Sequence, residues 1–206
     1  MIDHAAKHWM RVYSAREPAE LSWFEAVPAV SLRMIKAADL RRDAAIIDVG
    51  GGASRLAGEL VDRGYVDVTV ADVSPPALAA ARAELGERAG AVDWVGADVR
   101  SHDFGRAFDL WHDRATLHFM VDDGDRRAYL ATLRASLRPG GFLVIATFGP
   151  EGPSECSGLP VRRYGPEELT AALGAEFELL MSELTAHRTP RGSEQQFHYA
   201  LLRRAG

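Results

Sequence analysis

Short continuous apolar runs alternate along this chain with stretches where apolar residues recur every three or four positions, the patterns of buried strands and amphipathic helices. Ala44 to Val49 (AAIIDV) is the first such run and is ended by Gly50-Gly51-Gly52, which predicts a buried strand entering a tight turn. Leu56, Leu60 and Val61 share a helical face over Ser54 to Arg63, with Gly64 as the stop. The pattern repeats with Val66 to Ala71 as a strand, Pro75 to Leu85 as a helix opened by prolines, and Val92 to Ala97 and Phe108 to His112 as strands. Asp125 to Leu137 predicts a helix with Tyr129, Leu130, Leu133 and Leu137 on one face. Pro139-Gly140-Gly141 is expected to stop it before a fifth strand, Phe142 to Thr147 (FLVIAT). Pro166 to Leu173 reads as a further helix, and Phe177 to Leu184 and Gln196 to Leu202 as strands of a closing hairpin turned at Thr189-Pro190-Arg191-Gly192. This alternation predicts an α/β fold: a mostly parallel sheet with helices on both faces.

Length and composition narrow the class. A chain of 206 residues, 47% hydrophobic and 26% charged, suits one globular domain over residues 1–206. With 24 basic residues against 29 acidic ones, the formal charge of −5 argues against a surface built for nucleic acid. The single Cys156 excludes an internal disulfide and agrees with a reducing compartment. No run approaches the ~18 apolar residues that span a bilayer, and Met1-Ile2-Asp3-His4 lacks the features of a signal peptide. A cytoplasmic protein without membrane contact, monomeric or homodimeric, is the expectation. No cluster of residues asks for a metal.

The strand ends carry the candidate chemistry. In an open parallel sheet, ligands sit beyond the carboxyl ends of the strands where strand order reverses. Glycines 50–52 let backbone approach a ligand, and the following helix aims unpaired N–H groups the same way. Asp72 follows at the ~20-residue interval from which an acid reaches ribose hydroxyls, and Asp98 ends the third strand. The turn lacks the GxGxxG spacing of dinucleotide sites and the Lys-Ser/Thr of a P-loop. Taken singly, each feature has a plainer reading: steric need for the glycines, a helix cap or solvated acid for Asp72 and Asp98.

Together, IIDVGGGAS, VTVADVS, VGADV and LRPGGFLVIAT, in this order and spacing between Ala44 and Phe148, resemble the motifs of class I S-adenosylmethionine-dependent methyltransferases. The resemblance implies a Rossmann-like, seven-stranded sheet with a C-terminal antiparallel hairpin, and S-adenosyl-L-methionine as cofactor. It places Asp48, Gly50, Gly51, Gly52 and Ser54 toward the methionine part, Asp72 at the ribose, Val73 beside the adenine, Asp98 and Val99 at its amino group, and His112 near the sulfonium. Residues 1–43 would then form a helical lid, 44–148 the cofactor-binding core, and 149–206 a substrate loop and hairpin. Trp9, Tyr13, Trp23 and Phe24 resemble the aromatic N-terminal lids of small methyltransferases; Trp23 is expected in the pocket, while Trp9 and Tyr13 are expected to pack.

Substrate chemistry is expected just past the fourth strand. Asp113 would attract a cationic amine, Arg114 hold a carboxylate bidentately, and His112 or His118 accept a proton. The competing reading is an Asp-Arg pair that only fixes the loop, with His118 packed beneath a helix. Gly149 to Tyr164 is long and turn-rich, as expected of a cover over the acceptor; Cys156 in it has no basic partner nearby in sequence that would make it reactive. The implied activity is methyl transfer to an S, N or O atom of a small molecule or protein side chain. A non-catalytic cofactor binder and a nucleotide-dependent oxidoreductase stand as alternatives.

Overall fold

The computed structural model describes residues 4–206. The opening Met1-Ile2-Asp3, considered above as a targeting signal, lies outside them. Helices α1 (His4–Ala15) and α2 (Ala29–Ala37) precede the sheet. Next come β1 (Ala45–Val49), α3 (Leu56–Asp62), β2 (Asp67–Asp72), α4 (Pro75–Leu85), β3 (Val92–Gly96) and β4 (Phe108–Arg114). Helix α5 (Asp123–Ser136), β5 (Leu137–Phe148), a short ribbon of β6 (Glu155–Cys156) and β7 (Leu159–Pro160), α6 (Pro166–Leu173), β8 (Phe177–Arg188) and β9 (Glu194–Arg204) complete the chain.

Seven strands form one sheet in the order β3-β2-β1-β4-β5-β9-β8. Strands β1 to β5 are parallel, and β9 runs antiparallel between β5 and β8. This is the mostly parallel sheet with a closing hairpin that the hydrophobic pattern and the motifs predicted.

Because side chains alternate across a strand, each strand feeds two cores. Ile46, Leu110, Val144 and Tyr199 face Met34 and Ile35 of α2 and Leu56 and Leu60 of α3. Ile47, Trp111, Leu143 and Ala200 face Tyr129 and Leu133 of α5 and Leu169 of α6. Continuous apolar runs such as AIIDV follow directly from burial on both sides.

One element is added and two local readings change. Helix α2 follows Pro28 and is one short amphipathic segment within the aromatic arm, below the length at which periodicity stands out. Pro139-Gly140-Gly141 does not separate helix from strand: Leu137 already pairs with Phe108, the register slips once, and Phe142 then pairs with Leu110. Strand β8 continues past Leu184 to Arg188, and the hairpin turns at the predicted Thr189–Gly192, closed by Thr189 N–H donating to Ser193 O at 2.8 Å.

Candidate functional site

Strand order reverses between β1 and β4, with β2 on one side of β1 and β4 on the other. At the carboxyl ends of these strands lies a cavity of about 980 Å3, its open mouth included. Among the expected residues, Trp23, Gly50, Asp72, Val73, Asp98, Val99 and Arg114 line it. A smaller cavity of about 530 Å3 lies beyond Tyr13 and Trp23, and there Asp48, Gly51, Ser54 and His112 form the wall. Gly50, Tyr13, Trp23 and Arg114 border both spaces. Trp9 and Tyr13, expected only to pack, also line the larger one, and Trp9 meets Trp23 and Phe119 edge to face at 5.6 and 5.0 Å.

The glycine turn is as crowded as its sequence suggests, but by the protein's own atoms. Gly50 has φ +64°, and a Cβ there would stand 1.8 Å from Thr116 Oγ1. A Cβ on Gly51 would come within 2.6 Å of Asp48 Oδ2 and 2.9 Å of Val70 Cγ1. Gly52 lies directly beneath the Tyr13 hydroxyl. Ser54 acts locally: its N–H donates to Gly51 O at 2.7 Å and its Oγ accepts from Leu56 N–H at 3.1 Å as α3 begins.

The two acids at the cavity differ. Asp72 is 8% exposed, and Ser74 N–H donates to its Oδ1 at 2.7 Å. Burial pushes its pKa up to about 7; the Ser74 and Gly52 N–H groups pull it down, and the charge of Asp48 pushes it further up. A carboxylate at the cavity wall has lone pairs left to accept further donors, which is what a ribose diol supplies. Asp98 is already engaged: Arg100 donates through its backbone N–H at 2.9 Å, Nε at 3.0 Å and Nη2 at 2.6 Å. Arg100 also donates to Asp125 at 2.9 Å, so these two residues, which the motif reading did not single out, join the wall beside Asp98.

Past β4, the residues expected to do substrate chemistry are split by strand alternation. His112 faces α2: Nδ1 donates to Asp48 Oδ1 at 2.7 Å, and Nε2 pairs with the Ser31 hydroxyl at 2.8 Å. All three are nearly inaccessible, and Asp48 Oδ2 has no partner among the described residues. Ser31 had no signal in the sequence beyond its place in the arm. Asp113 points the opposite way, toward α5, where it accepts from Thr116 N–H (2.8 Å), Leu117 N–H (3.0 Å) and Tyr129 O–H (2.5 Å). Burial nevertheless holds its pKa up at about 6. His118 is fully buried against Phe119 and Phe148, and burial with the nearby charge of Arg114 pushes its pKa down to about 3.

Asp113, expected to attract an amine, and His118, expected to take a proton, line neither cavity. Arg114 does reach them, but its Nε donates to Tyr199 Oη at 2.7 Å and its Nη1 to Trp23 O at 2.8 Å. Between Arg114 and Thr116, Ala115 carries φ +71°, so this turn is strained where it meets the cavity. Cys156 enters the larger cavity from the ribbon, its thiol pushed up to about 12 by burial and thus protonated at neutral pH. Among the described residues, no group of His, Cys, Asp or Glu is arranged to hold a metal, and no helix is long and apolar enough to cross a membrane.

Sheet order, glycine turn and acids are those of the class I methyltransferase fold, and residues 46–141 match the family model of a methyltransferase domain. Among similar solved structures, one concerns the conversion of a disulfide bond into a thioacetal group during echinomycin biosynthesis (TM-score 0.80, 21% identity, covering 98% of this chain and 92% of that one). A second is the Burkholderia thailandensis 1,6-didemethyltoxoflavin-N1-methyltransferase, with 1,6-didemethyltoxoflavin and S-adenosylhomocysteine bound (0.70, 23%, 95% and 81%). A third is a SAM-dependent methyltransferase from Anabaena variabilis (0.77, 15%, 98% and 96%). No curated protein matches the chain in sequence.

Proposed function

We propose that this protein moves a methyl group from S-adenosyl-L-methionine to a nucleophilic S, N or O atom of a small molecule, within the cytoplasm. The observation that carries the reading is the meeting of the glycine turn, Asp72 and the 97–99 segment on one cavity at the switch point. The residues fit the cofactor in kind. Asp72 would accept from the ribose hydroxyls, Val73 would flank the adenine, Asp98 with Val99 would reach its amino group, and Gly50, Gly51 and Asp48 would border the methionine end. Bound there, the cofactor supplies a methyl group already activated by its sulfonium.

The chain's own work is then alignment and exclusion of water, which can contribute ~7–11 kcal/mol when donor and acceptor are held in line. Trp9, Trp23 and Phe119 supply an apolar wall over the cavity. That wall favours a small aromatic or apolar acceptor over a protein side chain, and the toxoflavin precursor bound by the Burkholderia enzyme is an acceptor of this kind. With His112 hydrogen-bonded on both ring nitrogens and Asp113 and His118 elsewhere, no side chain expected as a base is free, so the reading favours an acceptor that is nucleophilic without one.

The same feature keeps the second reading alive, a binder without turnover. Titration calorimetry with S-adenosylmethionine and with NAD, followed by transfer of a labelled methyl group to a panel of aromatic amines, heterocycles and thiols, separates these. Binding of S-adenosylmethionine but not NAD, with label on at least one acceptor class, is expected. Binding of NAD alone would return the chain to nucleotide-dependent oxidoreductases.

A further inference from the structure

The segment that carries Trp23 is not held by its own secondary structure. Between a single 3-10 turn at Pro18–Glu20 and helix α2, residues 22–25 run without regular backbone pairing; Leu21 is buried, and Phe24 N–H donates to Leu21 O at 3.0 Å. The carbonyls of Ser22 and Trp23 would be left without partners, yet each is met by a donor from a different strand. His187 on β8 donates Nε2–H to Ser22 O at 2.8 Å, and Arg114 on β4 donates Nη1–H to Trp23 O at 2.8 Å. A third strand contributes through Glu25: Tyr199 on β9 donates to Glu25 Oε1 at 3.5 Å and accepts from Arg114 Nε, which also lies 3.2 Å from Glu25 Oε2.

Phe197 backs the guanidinium from below at 4.5 Å. Arg114, Glu25 and His187 have side chains only 11%, 19% and 6% exposed, so water cannot readily replace the bonds they make. A planar fork with several donors suits this position, where Arg114 serves Trp23 O, Tyr199 Oη and Glu25 at once; a lysine ammonium has no such geometry. Beyond the latch, Trp23 borders both cavities, and its indole N–H donates to Tyr13 Oη at 3.2 Å.

We infer that Arg114, His187 and Tyr199 form a latch that clamps residues 22–25 to the sheet, sets the position of Trp23 between the two cavities, and governs how fast the adenosyl ligand leaves. They are positioning residues, and Arg114 holds the cover segment through Nε and Nη1, while its Nη2 has no partner among the described residues. The ligand part of the inference rests on the methyltransferase reading; the clamp itself does not.

Two measurements separate these parts. Amide hydrogen exchange over residues 20–26 of the ligand-free protein tests the clamp in the parent and in Arg114→Lys, His187→Ala, His187→Gln and Tyr199→Phe. Expected is exchange at least tenfold faster in Arg114→Lys and His187→Ala, while the sheet strands stay protected as in the parent. His187→Gln, whose amide can donate from a similar place, is expected to recover part of the protection. Tyr199→Phe keeps the ring in the core and serves if the Arg114 or His187 variant does not fold. Unchanged protection at 20–26 in the variants that fold overturns the clamp.

Stopped-flow dissociation of S-adenosylhomocysteine tests the consequence, with an accelerated off-rate expected in the same variants and in the same order. Loosened exchange with an unchanged off-rate overturns the control of ligand release. Failure of the parent to bind S-adenosylhomocysteine at all overturns that same control and the methyltransferase reading with it, and leaves the exchange result to decide the clamp.

Discussion

The two sides of strand β4 take polar residues of the same kind and put them to different use. On the side facing α2, His112 and Arg114 border the cavities and bind segments that come from outside the sheet: Ser31 on α2 and the Trp23 loop. On the side facing α5, Asp113 is walled in by Thr116, Leu117 and Tyr129 and organises only the turn that follows the strand. One residue of offset along a strand thus separates a group that shapes the site from one that supports the fold. A buried polar side chain near a site is not thereby part of its chemistry.

The contrast can be broken at four places. Asp113→Ala should have the largest effect on stability, because three buried donors lose their acceptor at once. A loss on the order of 3 kcal/mol is expected in denaturant unfolding, with adenosyl-ligand affinity little changed while the protein is folded. His112→Leu should cost less, about 2 kcal/mol from the unpaired Asp48 and Ser31, and should weaken S-adenosylhomocysteine binding in calorimetry; the opposite ranking for binding would mean the two faces had been assigned the wrong way round.

Asp72→Asn probes the site face through pH. The native carboxyl titrates near 7, while an unfolded aspartate titrates at about 3.9. The folded protein therefore keeps a proton that the unfolded chain gives up, and the associated stability is full below pH 4 and lost as pH rises through 7. The asparagine variant escapes that loss, so its melting temperature should exceed the parent's by a margin that widens from pH 4 to pH 7 and then levels. Its ligand affinity should be lower by roughly 1–3 kcal/mol and flat with pH, where the parent's affinity rises from pH 6 to 8. A constant margin in melting temperature would show that Asp72 is charged in the free protein.

The smallest effect belongs to His118→Leu. The imidazole is already neutral and buried, Nε2 is unpartnered among the described residues, and Nδ1 makes only one long bond, accepting from Phe148 N–H at 3.4 Å, so stability should fall by about 1 kcal/mol. The pH profile of methyl transfer should keep its shape. Loss of one limb of that profile would restore His118 as a proton acceptor.

Much of this was legible along the chain. The alternation of apolar runs with helical faces predicted β1 to β5, most plainly β1, β2, β4 and β5, where burial on both sides of a parallel sheet leaves a continuous apolar signature, while the hairpin was read from the turn formers at Thr189–Gly192. Glycines 50–52 and Asp72 were legible because a turn and a strand end lie close to their own sequence signals. Less visible were Arg100 and Asp125, which meet Asp98 across a loop and a helix start, and Ser31, a lone serine in a helix too short to stand out.

By itself, the order of residues determined the strands and helices of the sheet and which acids end its strands, since those follow from local periodicity and spacing. Only the tertiary structure decided which polar groups remain free at those strand ends. Availability depends on partners distant in sequence: α2 claims His112, Tyr129 of α5 claims Asp113, and Arg114 gives Nη1 to a loop some ninety residues upstream and Nε to Tyr199, which leaves Nη2 unpartnered among the described residues. A hydrogen bond uses up the very donor or acceptor that made a residue a candidate, and no pattern along the chain records who its partner is.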